Sequence, residues 1–136
     1  MTIVVKNDLG ELEGLLEGMA NWCKGNALSE EIIYELSLIV DEVVSNIIRH
    51  GYRDDREHLL AFELALDGSE MLIRVVDQGV HFNPLLKPDP DTSKPMEERK
   101  PGGLGIYMVK HLVDNLDYRR ENGRNYLIIR KGLRKD

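Results

Sequence analysis

A chain of 136 residues, 42% hydrophobic and 31% charged, fits one soluble globular domain and excludes collagen-like repeats and wholesale disorder. Its 18 Lys and Arg against 24 Asp and Glu leave a formal charge of −6, a poor balance for contacting a phosphate backbone, so no nucleic-acid partner is expected. The lone Cys23 excludes an internal disulfide and a cysteine zinc cluster. With no membrane-length apolar run and an N-terminus unlike a signal peptide, the expected location is the cytoplasm, away from any membrane.

Taken in chain order, Thr2 to Lys6 is a β-branched run and reads as an edge strand. Asp8 is placed to cap a helix reaching about Lys24, with Leu9, Leu12, Leu15, Leu16, Met19 and Trp22 at helical spacing. Gly10, Gly14 and Gly18 fall on one face of that helix, suited to close packing or to a partner surface. Ser29 is the N-cap of a longer helix to His50, closed by Gly51. Ile32, Leu36, Ile39, Val43 and Ile47 form one apolar stripe and Ile33, Val40, Val44 and Ile48 a second, which predicts a wide buried face. His58–Leu66 and Met71–Val76 read as strands joined at Asp67–Glu70. Periodicity then vanishes from Gly79 to Gly103, where all five prolines lie, the pattern of a lid or binding loop. A helix over Leu104–Asn115 follows, then a hairpin of Asp117–Glu121 and Asn125–Lys131 turning at Asn122-Gly123. This order predicts a single α+β domain over residues 1–136. Its architecture is a two-layer sandwich, a mixed, mostly antiparallel sheet covered on one face by helices. Charge is uneven, acidic through His50 and basic from Arg119 to Lys135.

Three constellations carry chemistry. Glu42 and Asn46 sit one turn apart on the long helix, with Glu35 and Arg49 on roughly the same face. A carboxylate suits general-base work, an amide oxygen suits Mg²⁺, and an Asn in mid-helix invites a reason. Asp77-Gln78-Gly79 ends an apolar strand, where a carboxylate can accept from a ligand amine and a glycine lets backbone come close to a ring. Gly102-Gly103-Leu104-Gly105 opens a helix, offering backbone N–H groups to an anion, without the spacing of a dinucleotide fingerprint or a Walker motif. Glu97, Glu98, Arg99 and Lys100 read as a solvated stretch, from which Arg99 and Lys100 could reach a phosphate.

Read together, ELSLIVDEVVSNIIRHGY (Glu35–Tyr52), VVDQGVHFNP (Val75–Pro84) and GGLGIYMVKHLVDNLDY (Gly102–Tyr118) resemble the N, G1 and G2 boxes of the GHKL ATPases. The wording of the last box and the short chain are most similar to the anti-sigma factor serine-protein kinases. The resemblance implies a Bergerat-type ATP-binding fold with a lid over about residues 80–102. It implies Glu42 as general base, Asn46 as ligand of Mg²⁺, and Asp77 as acceptor for the adenine amino group, with Gly79 beneath the base. Gly102, Gly103, Leu104 and Gly105 would line the phosphates, and Arg49 is a further nucleotide contact. The family often has Thr or Ser in the last strand near the adenine; Asn125 stands nearest here, and His81 replaces a smaller residue after the G1 glycine. The implied activity is Mg-ATP-dependent phosphorylation of a serine on an anti-anti-sigma (STAS-type) protein, together with sequestration of a sigma factor. Such proteins are homodimers, and the first strand or the glycine-striped helix is the expected interface. The other expectation is an ATP-responsive binding switch of the same fold without significant kinase activity.

Overall fold

A computed structural model describes residues 1–52, 54–80, 83 and 104–133. Among them the order is β1 (Thr2–Lys6), a 3₁₀ turn (Leu9–Glu11), α1 (Leu12–Gly25), α2 (Glu30–His50), β2 (Leu59–Asp67), β3 (Glu70–Asp77), α3 (Leu104–Leu112), β4 (Asn115–Glu121) and β5 (Arg124–Gly132). The strands form one five-stranded sheet in the order β1-β2-β3-β5-β4, antiparallel at every pairing. The α+β reading holds, with an antiparallel rather than a mixed sheet.

Strand alternation sets the layers. Leu60, Phe62 and Leu64 of β2, Met71, Ile73 and Val75 of β3, and Leu127 and Ile129 of β5 are buried on the face that carries the helices. Both stripes of α2 enter the same core, Ile48 alone remaining half-buried. Ser29 caps this helix as expected, its Oγ accepting from Ile32 N–H at 3.2 Å. On α1 the buried residues are Leu15, Met19 and Cys23, spaced four apart. The opposite sheet face is more open: Val4 is 56% and Leu59 59% exposed.

Three local expectations are corrected. Asp8 caps the 3₁₀ turn, accepting from Gly10 N–H at 2.9 Å, and α1 proper starts later, at Leu12. The glycine stripe is not one packed surface within the chain. Gly10 lies in the 3₁₀ turn, Gly14 has no neighbour within reach of a Cβ, and only Gly18 packs closely, against Ile3 Cδ1. Finally, α3 ends at Leu112 and Asn115 already belongs to β4, because Asn115 pairs with Arg130 in the ladder and Asp114 N–H donates to Arg130 O.

The far end of α3 is pinned by a buried cation. Lys131 Nζ, on the core side of β5, donates to Leu112 O at 2.6 Å and pairs with Glu35 Oε2 at 2.8 Å. A positive charge at the last carbonyls of a helix complements its dipole. This contact ties α2, α3 and β5 together, and it takes Glu35 away from the Glu42 end of its helix.

Removing one partner of a buried pair leaves the other charge uncompensated. Glu35→Ala is expected to cost about 2–3 kcal/mol in urea unfolding, and the double change Glu35→Ala/Lys131→Met to recover most of that loss.

Candidate functional site

Glu42 and Asn46 meet as their spacing requires. Asn46 is 4% exposed, and its Nδ2 donates both to Glu42 O at 2.6 Å and to Glu42 Oε1 at 2.9 Å. This explains a poor helix former in mid-helix: its amide hydrogens orient the carboxylate one turn back. The amide carbonyl is thereby the end turned away from Glu42, a hard oxygen of the kind magnesium accepts. Gly105, in the first turn of α3, lies directly against the same carboxylate. A Cβ built on Gly105 would overlap the Glu42 side chain. The bare Cα of Gly105, the residue expected to line phosphates, leaves room for Glu42. Arg49 is exposed near the end of α2. Gly102 and Gly103, and almost all of the expected lid, lie outside the described residues, and of Leu104 only its backbone place at the start of α3 is described.

The second centre is Asp77, the last residue of β3 and 4% exposed. Its Oδ1 accepts from Gly79 N–H at 2.7 Å and from Asn125 Nδ2 at 3.0 Å, while Oδ2 takes no hydrogen bond from the described residues. Burial pushes this carboxyl above the usual aspartate range; the Asn125 and Gly79 hydrogen bonds and the Arg120 charge pull the other way. Gly79 has no space for a side chain, since a Cβ there would overlap Gly51 O and sit 2.8 Å from Asp77 Oδ1. Gly51 O also accepts from Val80 N–H at 2.8 Å, so the end of α2 and the loop after β3 are one packed unit.

Asn125 sits in this unit, but every polar atom of its side chain is engaged by protein. Nδ2 donates to Asp77 Oδ1 and, at 2.9 Å, to Val80 O; Oδ1 accepts from Tyr118 Oη at 2.6 Å and Arg120 Nη1 at 2.9 Å. Its place is that of a strut beneath Asp77. Tyr118 and Arg120 were missed from the sequence. The signal was present: a two-residue Asn122-Gly123 turn, both residues at positive φ, forces Arg120 opposite Asn125. Tyr52, which ends the N box, was also passed over. Its ring stacks on His58 at 4.7 Å, and its Oη is the one buried side-chain polar atom without a partner among the described residues.

These groups fit a nucleotide and its metal on chemical grounds. A buried carboxylate has one oxygen that takes no hydrogen bond from the described residues, the loop beneath it has space only for glycine, and an amide carbonyl lies beside a carboxylate on the same helix. Among the described residues no group of three His, Cys, Asp or Glu side chains is arranged to hold a metal by itself, so a cation here would lean on Asn46 and on the phosphates.

The raised Asp77 pKa has a stability consequence. The folded state holds this proton more tightly than the unfolded chain, so stability falls as pH rises from the unfolded value through the folded one. Asp77→Asn keeps the Oδ1 acceptor and removes the charge. It is expected to make the ligand-free protein more stable in urea at neutral pH, with the gain vanishing below the ordinary aspartate range.

The family profile described as "Histidine kinase-like ATPase domain" matches residues 5–131. The serine-protein kinase RsbW of Bacillus cereus is 30% identical over 115 residues, covering 81% of this chain and 71% of the relative. RsbW of Halalkalibacterium halodurans is 29% identical over 129 residues, covering 90% and 76%. The serine/threonine-protein kinase BtrW of Bordetella bronchiseptica is 25% identical over 101 residues, covering 74% and 71%. Among solved structures, the RsbU and RsbW domains of Rv1364c from Mycobacterium tuberculosis superpose with a TM-score of 0.65 at 16% identity, over all of this chain and 33% of that one, which supports the fold. Sequence boxes, architecture and these likenesses agree: the chain belongs to the histidine kinase-like ATPase family, among its RsbW-type anti-sigma factor serine-protein kinases.

Proposed function

We propose that this protein is a Mg-ATP-dependent serine kinase. On this reading it phosphorylates a small anti-anti-sigma protein of STAS type, and holds a sigma factor when that partner is absent or phosphorylated. The observation that carries the reading is the placement of two unlike carboxylates along α2. Asp77 is packed beside Gly51 at the helix end, through Gly79. Glu42 lies nine residues earlier, roughly 14 Å along the axis at 1.5 Å per residue. That separation is on the scale of an extended nucleoside triphosphate, with base recognition at one end and phosphoryl chemistry at the other.

The roles follow from the chemistry of each group. Asp77 accepts the adenine amino hydrogen through Oδ2, and Gly79 leaves the face of the base unobstructed. Asn46 is the residue that would hold magnesium, which when bound neutralises phosphate charge. Glu42, oriented by Asn46, takes the proton from the substrate serine hydroxyl as its oxygen bonds to the terminal phosphorus and the bond to the departing ADP oxygen breaks. The protein's contribution is position and charge, which is what phosphoryl transfer requires. Self-association through the β1 edge belongs to the same proposal and is supported by the exposed Val4 on that strand. No described helix is long and apolar enough to cross a membrane.

Calorimetric titration with ADP and ATP, with and without Mg²⁺, tests the pocket. Wild type is expected to bind in a magnesium-dependent way and Asp77→Asn to lose binding. Silence from a well-folded wild type would sink the reading. Glu42→Ala is expected to keep ADP binding while phosphotransfer to the partner falls by about 10²- to 10⁴-fold. A partner that still responds normally to ATP with that variant would instead mark an ATP-dependent binding switch. Gly105→Ala, which drives a methyl into the Glu42 carboxylate, is expected to resemble Glu42→Ala: ADP affinity within a few-fold of wild type, phosphotransfer lost.

A further inference from the structure

One cross-strand row at the end of the sheet holds three polar residues. In the ladder Arg120 of β4 pairs with Asn125 of β5, and Asn125 pairs with Asp77 of β3. Directly opposed residues point to the same face, so the three side chains line up over the core end where the Gly79 loop leaves the sheet. Arg120 Nη1 sends its two hydrogens to two carbonyls, Asn125 Oδ1 at 2.9 Å and Gly79 O at 2.9 Å. The first bond leaves the Asn125 amide nitrogen facing Asp77, because the oxygen end of that amide is held by Arg120 and Tyr118. The second holds the carbonyl of the glycine on which the base is proposed to lie. An arginine on an edge strand is ordinarily a solvated charge; this one spends its bonds on the backbone and the strut of the site.

We propose that Arg120 is a positioning residue for nucleobase recognition, fixing the Gly79 carbonyl and the Asn125 amide so that Asp77 presents a correctly turned carboxylate oxygen to an exocyclic amine. This rests on the nucleotide reading above and adds a residue that reading does not include. It acts without touching the phosphates.

The charge of Arg120 also bears on Asp77, lowering a pKa that burial raises. Among the described residues, the other titratable groups on this side are Tyr52, whose buried phenol feels the Asp77 charge, and His58, whose Nε2 is turned to Asp54 at 2.7 Å. Neither supplies a fixed positive charge to Asp77 in place of Arg120. Losing the guanidinium removes a stabiliser of the ionised form, and adenine recognition then fails at a higher pH than in wild type.

The test uses the full chain with Arg120→Met and Arg120→Lys and reads two quantities. The first is the titration of the Asp77 carboxyl carbon by NMR in the ligand-free protein. The second is binding of AMP, ADP and ATP by calorimetry across the acid-to-neutral range. Arg120→Met is expected to move the Asp77 titration to higher pH and to weaken ADP about tenfold at neutral pH, on the scale of a lost charge-assisted hydrogen bond. The loss is expected to be the same factor for all three nucleotides, and the acid limb of binding to shift upward with Asp77. Arg120→Lys, which keeps the charge, is expected to restore the titration toward wild type and to recover part of the affinity; it also serves if the methionine variant folds poorly. Wild-type titration and affinity in Arg120→Met would overturn the proposal, as would a loss that grows with phosphate number, the mark of a phosphate ligand. If wild type binds no adenine nucleotide, the nucleotide reading falls, and with it the recognition role, while the Asp77 titration still reports whether the clamp exists.

Discussion

A carboxylate that is 4% exposed at the end of a central strand is held there against the cost of its own desolvation. Asp77 meets that cost with a backbone N–H from the loop it starts, an amide from the neighbouring strand, and a guanidinium one strand further on. Each donor imposes a condition elsewhere. The Gly79 N–H reaches Oδ1 only because the chain turns sharply against Gly51 O, where no side chain fits. The Asn125 amide points correctly only because Tyr118 and Arg120 occupy its oxygen. The register that aligns them depends in turn on the tight turn at Asn122-Gly123. One buried charge thus accounts for residues in three strands and one loop.

The rest of the site depends on how α3 is held. Lys131 grips its last carbonyls and Glu35 at one end, and Gly105 rests on Glu42 at the other. Because α2 supplies Glu35, Glu42, Asn46 and Gly51, that helix is the ruler along which the site is laid out. The arrangement is costly for the protein alone: the aspartate keeps a raised pKa despite its donors, and the tyrosine hydroxyl has no partner among the described residues. A ligand that satisfies them would return stability through binding, the usual coupling between a destabilised site and its occupant.

Much of this was legible in the chain alone. The double stripe and Ser29 defined α2 almost to the residue, and its Glu42–Asn46 pair followed from helical spacing. Asp77 was legible as the end of an apolar strand, with Gly79 required beside it. What failed to show were relations between distant segments. The end of α3 was overrun because Leu112, Val113 and Leu116 continue an apolar helical pattern, and only pairing with β5 draws Asn115 into a strand. Glu35 shares a helix face with Glu42, but side-chain reach and the burial of Lys131 decide its partner. Asn125 carries a functional group suited to a ligand, and its bonds to Tyr118, Arg120 and Asp77 across the ladder were not visible from spacing along the chain. The glycines around Gly105 point to a phosphate loop, and they say nothing of the carboxylate it also accommodates, which comes from another element entirely.

The contact between Gly105 and Glu42 has a consequence for how such a protein can change over time. Two positions far apart in the chain share one volume, so neither can drift without regard to the other. A larger residue at 105 must push the end of the Glu42 side chain out of this place, so it is tolerable where that carboxylate can swing aside or is no longer there. The glycine is therefore constrained for as long as the Glu42 carboxylate has to keep this position. In a descendant that kept the fold but no longer needed that carboxylate in place, position 105 is free to take bulkier side chains, and the two positions would be seen to change together.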